Sequence, residues 1–203
     1  MQDELTVHDI VGRGVSLDVY RARWQQDLAR PLRGLDRTAR RYLHYARYNW
    51  ERYHRVFEQY EPSQAFRAVL ERITSPQDWL VITEDWCADA AYSLPVFARA
   101  AETNRQVWLR LVRRDEHPEV MDRYLTNGAR AIPKLVVFGA RGDELFRWGA
   151  KPAALYRLRE DWKARGIEGH ELSKATIAWY ESGGWLEVER ELAALLETTA
   201  VRG

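Results

Sequence analysis

The sequence predicts an α/β protein, a mixed sheet flanked by helices and extended by further helices at both ends. Three observations carry that reading. The middle of the chain holds short apolar, β-rich runs such as "WLVIT" and "KLVVF", separated by stretches of helical period. Before them, Leu43, Ala46, Trp50, Tyr53, Phe57 and Tyr60 recur at alternating spacings of three and four, which places one aromatic stripe along a long helix. After them the chain is helical again to its end. Strands that alternate with helices imply a sheet covered on its faces.

The elements follow in order. Residues 1–16 show no clear period and are read as irregular. "SLDVYRARWQQDLAR" starts a helix at Ser16 and stops before Pro31. The striped helix follows and ends at Pro62. Ser63 caps a third helix, "SQAFRAVLERI", closed by Thr74-Ser75-Pro76. "WLVIT" is a buried strand, and a helix runs from about Cys87 to Thr103. "VWLRLVR" is the second strand. "PEVMDRYLTNG" reads as a helix ended by Gly128 in a left-handed position. "KLVVF" and "ELFRWG" form an antiparallel hairpin across "ARGDEL". Beyond Pro152 come "AALYRLREDWKA", "SKATIAWY" and "EVERELAALLE", with glycine turns at 166–169 and 183–184. This divides the chain into a helical extension (1–76), a sheet-bearing core (77–165) and a second helical extension (166–203).

Composition narrows the function. The 203 residues are 46% hydrophobic and 30% charged, with a net charge of +1. That balance is globular and lacks the basic excess of a dedicated nucleic-acid binder. Five scattered histidines and one cysteine offer no metal-ligand spacing. A lone cysteine forms no internal disulfide, which fits a reducing compartment. No apolar run reaches membrane length and no secretory signal is present, so a cytoplasmic protein is expected. "RRYLHYARYNWERYHR" mixes bases and aromatics as nucleic-acid surfaces do, but its helical spacing favours a packing role.

The cysteine stands in "TEDWCADAAYSLP", at a strand-to-helix junction. This order of elements resembles thioredoxin from Trp79 to Gly149. Trp86-Cys87 matches the superfamily's Trp-Cys, and Pro95 the proline that kinks its active-site helix. Ile132-Pro133 matches its cis-proline, and Gly149 closes the last strand. The chain is similar, more closely, to a bacterial branch of thioredoxin family proteins. That branch joins "ITE-x-WC-x-DAA" to "DRYLTNG", "IPKL" and "WG-x-(K/R)-P" segments, with "NW-(E/Q)-R" upstream and "WY…ELAALL" downstream. This chain has Ile82-Thr83-Glu84, Trp86-Cys87, Asp89-Ala90-Ala91, Asn49-Trp50-Glu51-Arg52 and Trp179-Tyr180 at those places. Two departures matter. Ala90 replaces the resolving cysteine, and Val81 stands where thioredoxin buries a proton-transferring Asp.

A cysteine at a helix start gains about 0.3–2 kcal/mol of thiolate stabilisation from the helix terminus. Against that, one carboxylate about 6 Å away costs roughly 3 kcal/mol at an effective dielectric of 20, before screening. Glu84, Asp85 and Asp89 all lie nearby in sequence, so composition alone leaves the balance open. Cys87 and Asp89 are the candidate catalytic pair, Asp89 as proton donor or acceptor or simply as a first-turn acid that stabilises its helix. The resemblance implies that Trp86, Ile132 and Pro133 line a peptide groove, with the bond before Pro133 cis. Arg130 would add a positive edge for a carboxylate or for glutathione; a solvated loop charge is its simpler reading.

Two functions lead. In the first, Cys87 attacks a disulfide or oxidised sulfur in a protein or small-molecule substrate, and an external thiol such as glutathione resolves the mixed disulfide. In the second, the same groove holds a peptide or protein without turnover. Glutathione-assisted iron–sulfur binding and a purely structural relic are the weaker alternatives. No resident cofactor, metal, nucleic acid or membrane is expected, and the sequence leaves the oligomeric state open.

Overall fold

The computed structural model describes residues 5–200. Four strands, β1 (Gln77–Thr83), β2 (Val107–Arg113), β3 (Lys134–Phe138) and β4 (Glu144–Gly149), form one sheet in the order β2-β1-β3-β4. β1 pairs with β2 in parallel, and β3 runs antiparallel to both β1 and β4. The central strands carry the unbroken apolar runs because both of their faces are covered. Trp79–Ile82 and Leu135–Val137 are wholly buried.

Helices α1 (Val7–Gly12), α2 (Leu17–Leu28), α3 (Arg37–Gln59) and α4 (Gln64–Glu71) precede the sheet. Side-chain oxygens of Thr6, Ser16, Asp36 and Ser63 accept from backbone N–H groups of the first turns and fix where each helix begins. α1 is a departure from the irregular segment expected there. Thr6 and Asp9 form a reciprocal capping box that starts a helix too short to show a period; residues 1–4 of that reading lie outside the described residues. Beyond α1, Val15 exchanges two backbone hydrogen bonds with Leu111 on the outer edge of β2, at 2.9 and 2.8 Å. A side chain at Gly14 would put its Cβ 2.7 Å from that of Arg110, so this approach to the strand needs glycine.

α3 lays its stripe against α5 (Ala88–Thr103). Leu43, Ala46, Tyr53, Val56 and Tyr60 are buried, while Trp50 and Phe57 are half-buried on the margin. Trp50 meets Trp24 edge-on at 5.2 Å, which ties α2 to α3. The helix expected over 118–128 is shorter. α6 covers only Pro118–Met121, because Asn127 and Gly128 adopt left-handed φ of 50° and 78° within a tight turn bridged from Thr126 to Ala129. Lys134 Nζ donates to Thr126 Oγ1 at 2.6 Å and holds that turn on the sheet.

α7 (Ala153–Ala164), α8 (Gly169–Trp179), a π-helical turn (Tyr180–Gly184) and α9 (Leu186–Ala200) complete the chain. α9 packs on β4, α4 and α5. Glu189, buried, accepts from Tyr60 Oη at 2.5 Å and from Ser63 N at 3.2 Å. A single hydrophobic cluster includes Ile10, the sheet and Leu196, so both terminal helical stretches share the interior of the sheet. No helix among the described residues is long and apolar enough to cross a membrane.

Candidate functional site

β1 ends at Thr83, and the next four residues turn the chain into α5. Two polar side chains, one buried and one half-buried, hold that turn. Asn49 Nδ2, from α3, donates to Asp85 O at 2.9 Å, while its Oδ1 accepts from Arg52. Arg113, from β2, reaches Asp27 at 2.7 Å and Asp85 at 3.4 Å. Cys87 therefore arrives at the amino-terminal cap position of α5, facing the loop before β3.

Cys87 is buried, 8% exposed as a residue. It donates to Ile132 O at 3.4 Å, and the Ile132–Pro133 bond is cis. Burial, reinforced by the Asp89 carboxylate, pushes the thiol up to about 12. The N–H groups of Ala90 and Asp89 and the Lys151 ammonium oppose this and lose. The balance that sequence left open is thus decided by desolvation, which favours the neutral thiol.

Asp89 is engaged on both oxygens. Oδ1 accepts from Tyr180 Oη at 2.8 Å, and Oδ2 faces Lys151 Nζ at 3.3 Å. Tyr180 is fully buried and stacks on Tyr92 at 4.5 Å. Tyr92 in turn donates to Glu181, which also holds Arg55. The carboxylate beside Cys87 is thereby fixed by the second helical extension.

Trp86 is clamped. Tyr42 stacks on one face at 4.6 Å and the Arg114 guanidinium lies 4.8 Å from the ring centre. Arg130 is exposed and makes a two-pronged pair with Asp122, both bonds 2.7 Å. The buried acids near the site are Glu84 and Asp85 rather than a residue at position 81. Burial raises Glu84 to about 7, with Asp115 N donating to it at 2.8 Å in opposition.

A cleft of about 880 Å³ opens beside Cys87. Its walls are α3 and α8, and Trp86, Cys87, Ala88 and Asp89 form its floor. Of the residues singled out from sequence, Cys87, Asp89 and Trp86 line it; Ile132 and Pro133 are buried behind the thiol, and Arg130 stands outside. Sequence reasoning missed the partners Asn49, Lys151 and Tyr180. A signal was present, for all three belong to the segments "NWER", "WGAKP" and "WY" that carry the family resemblance. Among the described residues no group of three His, Cys, Asp or Glu side chains is placed to hold a metal ion.

A mixed sheet of this order, with a cysteine at the start of its first crossover helix and a proline loop against the sulfur, defines a thioredoxin-like fold. A family model described as thioredoxin matches residues 37–163. The chain belongs to the thioredoxin family. Among solved structures it is similar to a protein of unknown function from Pseudomonas aeruginosa, with a TM-score of 0.63 at 17% identity, covering 96% of this chain and 99% of that one. It is also similar to an HIV epitope-scaffold, with a TM-score of 0.62 at 18% identity and the same coverage. These likenesses show the fold alone. No curated protein matches the chain.

Proposed function

We propose that this is a thioredoxin-fold binding module, whose cleft beside Cys87 holds a peptide or protein ligand without thiol turnover. The observation that supports it most is the state of the thiol. Cys87 is buried, spends its proton on the Ile132 carbonyl, and is favoured in the neutral form, which is not the nucleophile. With alanine at position 90, nothing in the chain resolves a mixed disulfide. The open feature is the cleft.

A second reading keeps one supporting observation, that Cys87 lies on the cleft floor. There the Cys87 thiolate would attack a substrate disulfide, one substrate sulfur would leave as thiolate, and an external thiol such as glutathione would release the mixed disulfide.

Alkylation separates the two. Under the binding reading, Cys87 reacts with iodoacetamide more slowly than a free thiol at pH 7, and intact mass shows no glutathione after incubation with glutathione disulfide. Faster alkylation or glutathione uptake overturns the binding reading and favours exchange.

A further inference from the structure

The walls of the cleft have a composition that the thiol chemistry does not explain. Arg41, Tyr45, Tyr48 and Arg52 recur at spacings of four, three and four along α3, so they form one stripe, and all four line the cleft. Tyr45 and Tyr48 are 46% and 49% exposed and stand one turn apart on that stripe, so they offer adjoining aromatic surface to a ligand. Opposite, His170, Ser173, Lys174 and Ile177 form one face of α8.

The charge is one-sided. Arg41 and Arg52 have no carboxylate partner among the described residues. Each guanidinium instead lies over a tyrosine ring of its own helix, Arg41 over Tyr42 at 5.7 Å and Arg52 over Tyr48 at 5.8 Å, and Arg52 also donates to Asn49 Oδ1 at 2.9 Å. These contacts leave the remaining N–H donors of the two planar forks without a protein acceptor among the described residues. Among the described residues Asp89 is the one carboxylate in the lining, and it is engaged by Lys151 and Tyr180. Lys174 is held by Glu171 at 2.9 Å and adds less.

We propose that this cleft binds an extended acidic peptide segment about five residues long, with carboxylates at its ends and an apolar or aromatic middle. The inference rests on the binding reading above and names its ligand. Its length follows from the helix. Arg41 and Arg52 are eleven residues apart, about 16 Å along the axis at 1.5 Å per residue, and five extended residues span roughly the same distance. Guanidinium forks at both ends match carboxylates, and Tyr45 and Tyr48 between them on the stripe match an apolar or aromatic centre. A single nucleic-acid strand fits less well, because it carries a phosphate on every nucleotide while the stripe offers arginines only at its two ends.

Selection from a random pentapeptide library on the intact protein tests this, followed by anisotropy with one labelled peptide carrying glutamate at both ends. The expected result is enrichment of Asp and Glu at the first and last positions. Glutamine at both ends of the labelled peptide should weaken binding about tenfold, and so should Arg41→Ala or Arg52→Ala. Arg67→Ala, whose side chain pairs with Glu61 away from the cleft, should change nothing, and melting curves confirm that each variant folds. No binding, no terminal acid preference, a preference that survives both arginine changes, or tighter capture of an oligothymidylate through Arg41 and Arg52 would each overturn the proposal. Failure of the peptide result with an unreactive Cys87 removes this ligand and leaves the binding reading; glutathione uptake at Cys87 removes the binding reading whatever the peptides do.

Discussion

Tyr180 Oη donates to Asp89 Oδ1 at 2.8 Å across 91 residues of sequence. One hydroxyl on the second helical extension thus fixes a carboxylate two residues from the thiol. Tyr180→Phe keeps the ring and its stack on Tyr92 but removes the donor. A hydrogen bond to a charged group contributes about 1.5–3 kcal/mol, which in a chain of this size lowers Tm by roughly 3–12 °C. An unchanged melting temperature would show that water replaces the hydroxyl.

Asn49→Ala leaves the buried Asp85 carbonyl without its donor and Arg52 without its acceptor. The expected loss is about 1–3 kcal/mol, read by urea unfolding. Because that bond pins the turn before Cys87, iodoacetamide should also reach the thiol faster at constant pH. Destabilisation with no change in alkylation would mean that Arg113 alone holds the turn.

Glu84 supplies a pH dependence. Its folded pKa, about 7, lies above the unfolded value of 4.5. An acid raised in this way contributes stability below the unfolded value, and the contribution is lost as pH rises from 4.5 to about 7. Glu84→Gln keeps an oxygen for Asp115 N and cannot ionise. Relative to the parent it should gain up to roughly 3 kcal/mol at pH 8 and nothing at pH 4.5. Parallel stability curves for the two proteins across that window would rule this out.

Gly149 is irreplaceable for a reason of space. It holds a φ of 119°, and a Cβ there would sit 2.2 Å from the Pro133 carbonyl oxygen. Gly149→Ala should cost roughly 3–5 kcal/mol. Gly166→Ala, also at positive φ but with nothing within 4 Å, should cost only about 1–2 kcal/mol. Thermal unfolding of the two variants side by side checks the contrast.

The sheet was legible because its central strands are buried on both faces and so read as unbroken apolar runs. The thioredoxin-like core was legible because Trp86-Cys87, Pro95 and Ile132-Pro133 stand in order along those elements. α3 was legible from its stripe, although Trp50 proved marginal; its neighbours Asn49 and Val56 fill the interior beside it. Short elements escaped. α1 owes its start to one capping box, and the segment after Met121 ends in a left-handed turn at Asn127–Gly128 that a lysine on the following strand holds. The cleft escaped for a deeper reason. Its two walls are about 120 residues apart in sequence, and each alone is an ordinary polar helix face. The burial that decides the state of Cys87 is likewise a property of packing, invisible to local charge counting.

The clasp of Val15 on Leu111 has a consequence for how the molecule meets copies of itself. β2 is a flank of the sheet, and a flank strand with free amides and carbonyls invites another chain to zip onto it. Val15 takes up the donor and acceptor of Leu111, near the strand's midpoint, and so interrupts any continuous docking ladder. The segment around Gly14 and Val15 therefore breaks up this edge with two hydrogen bonds, and a strand adding to β2 would have to displace it.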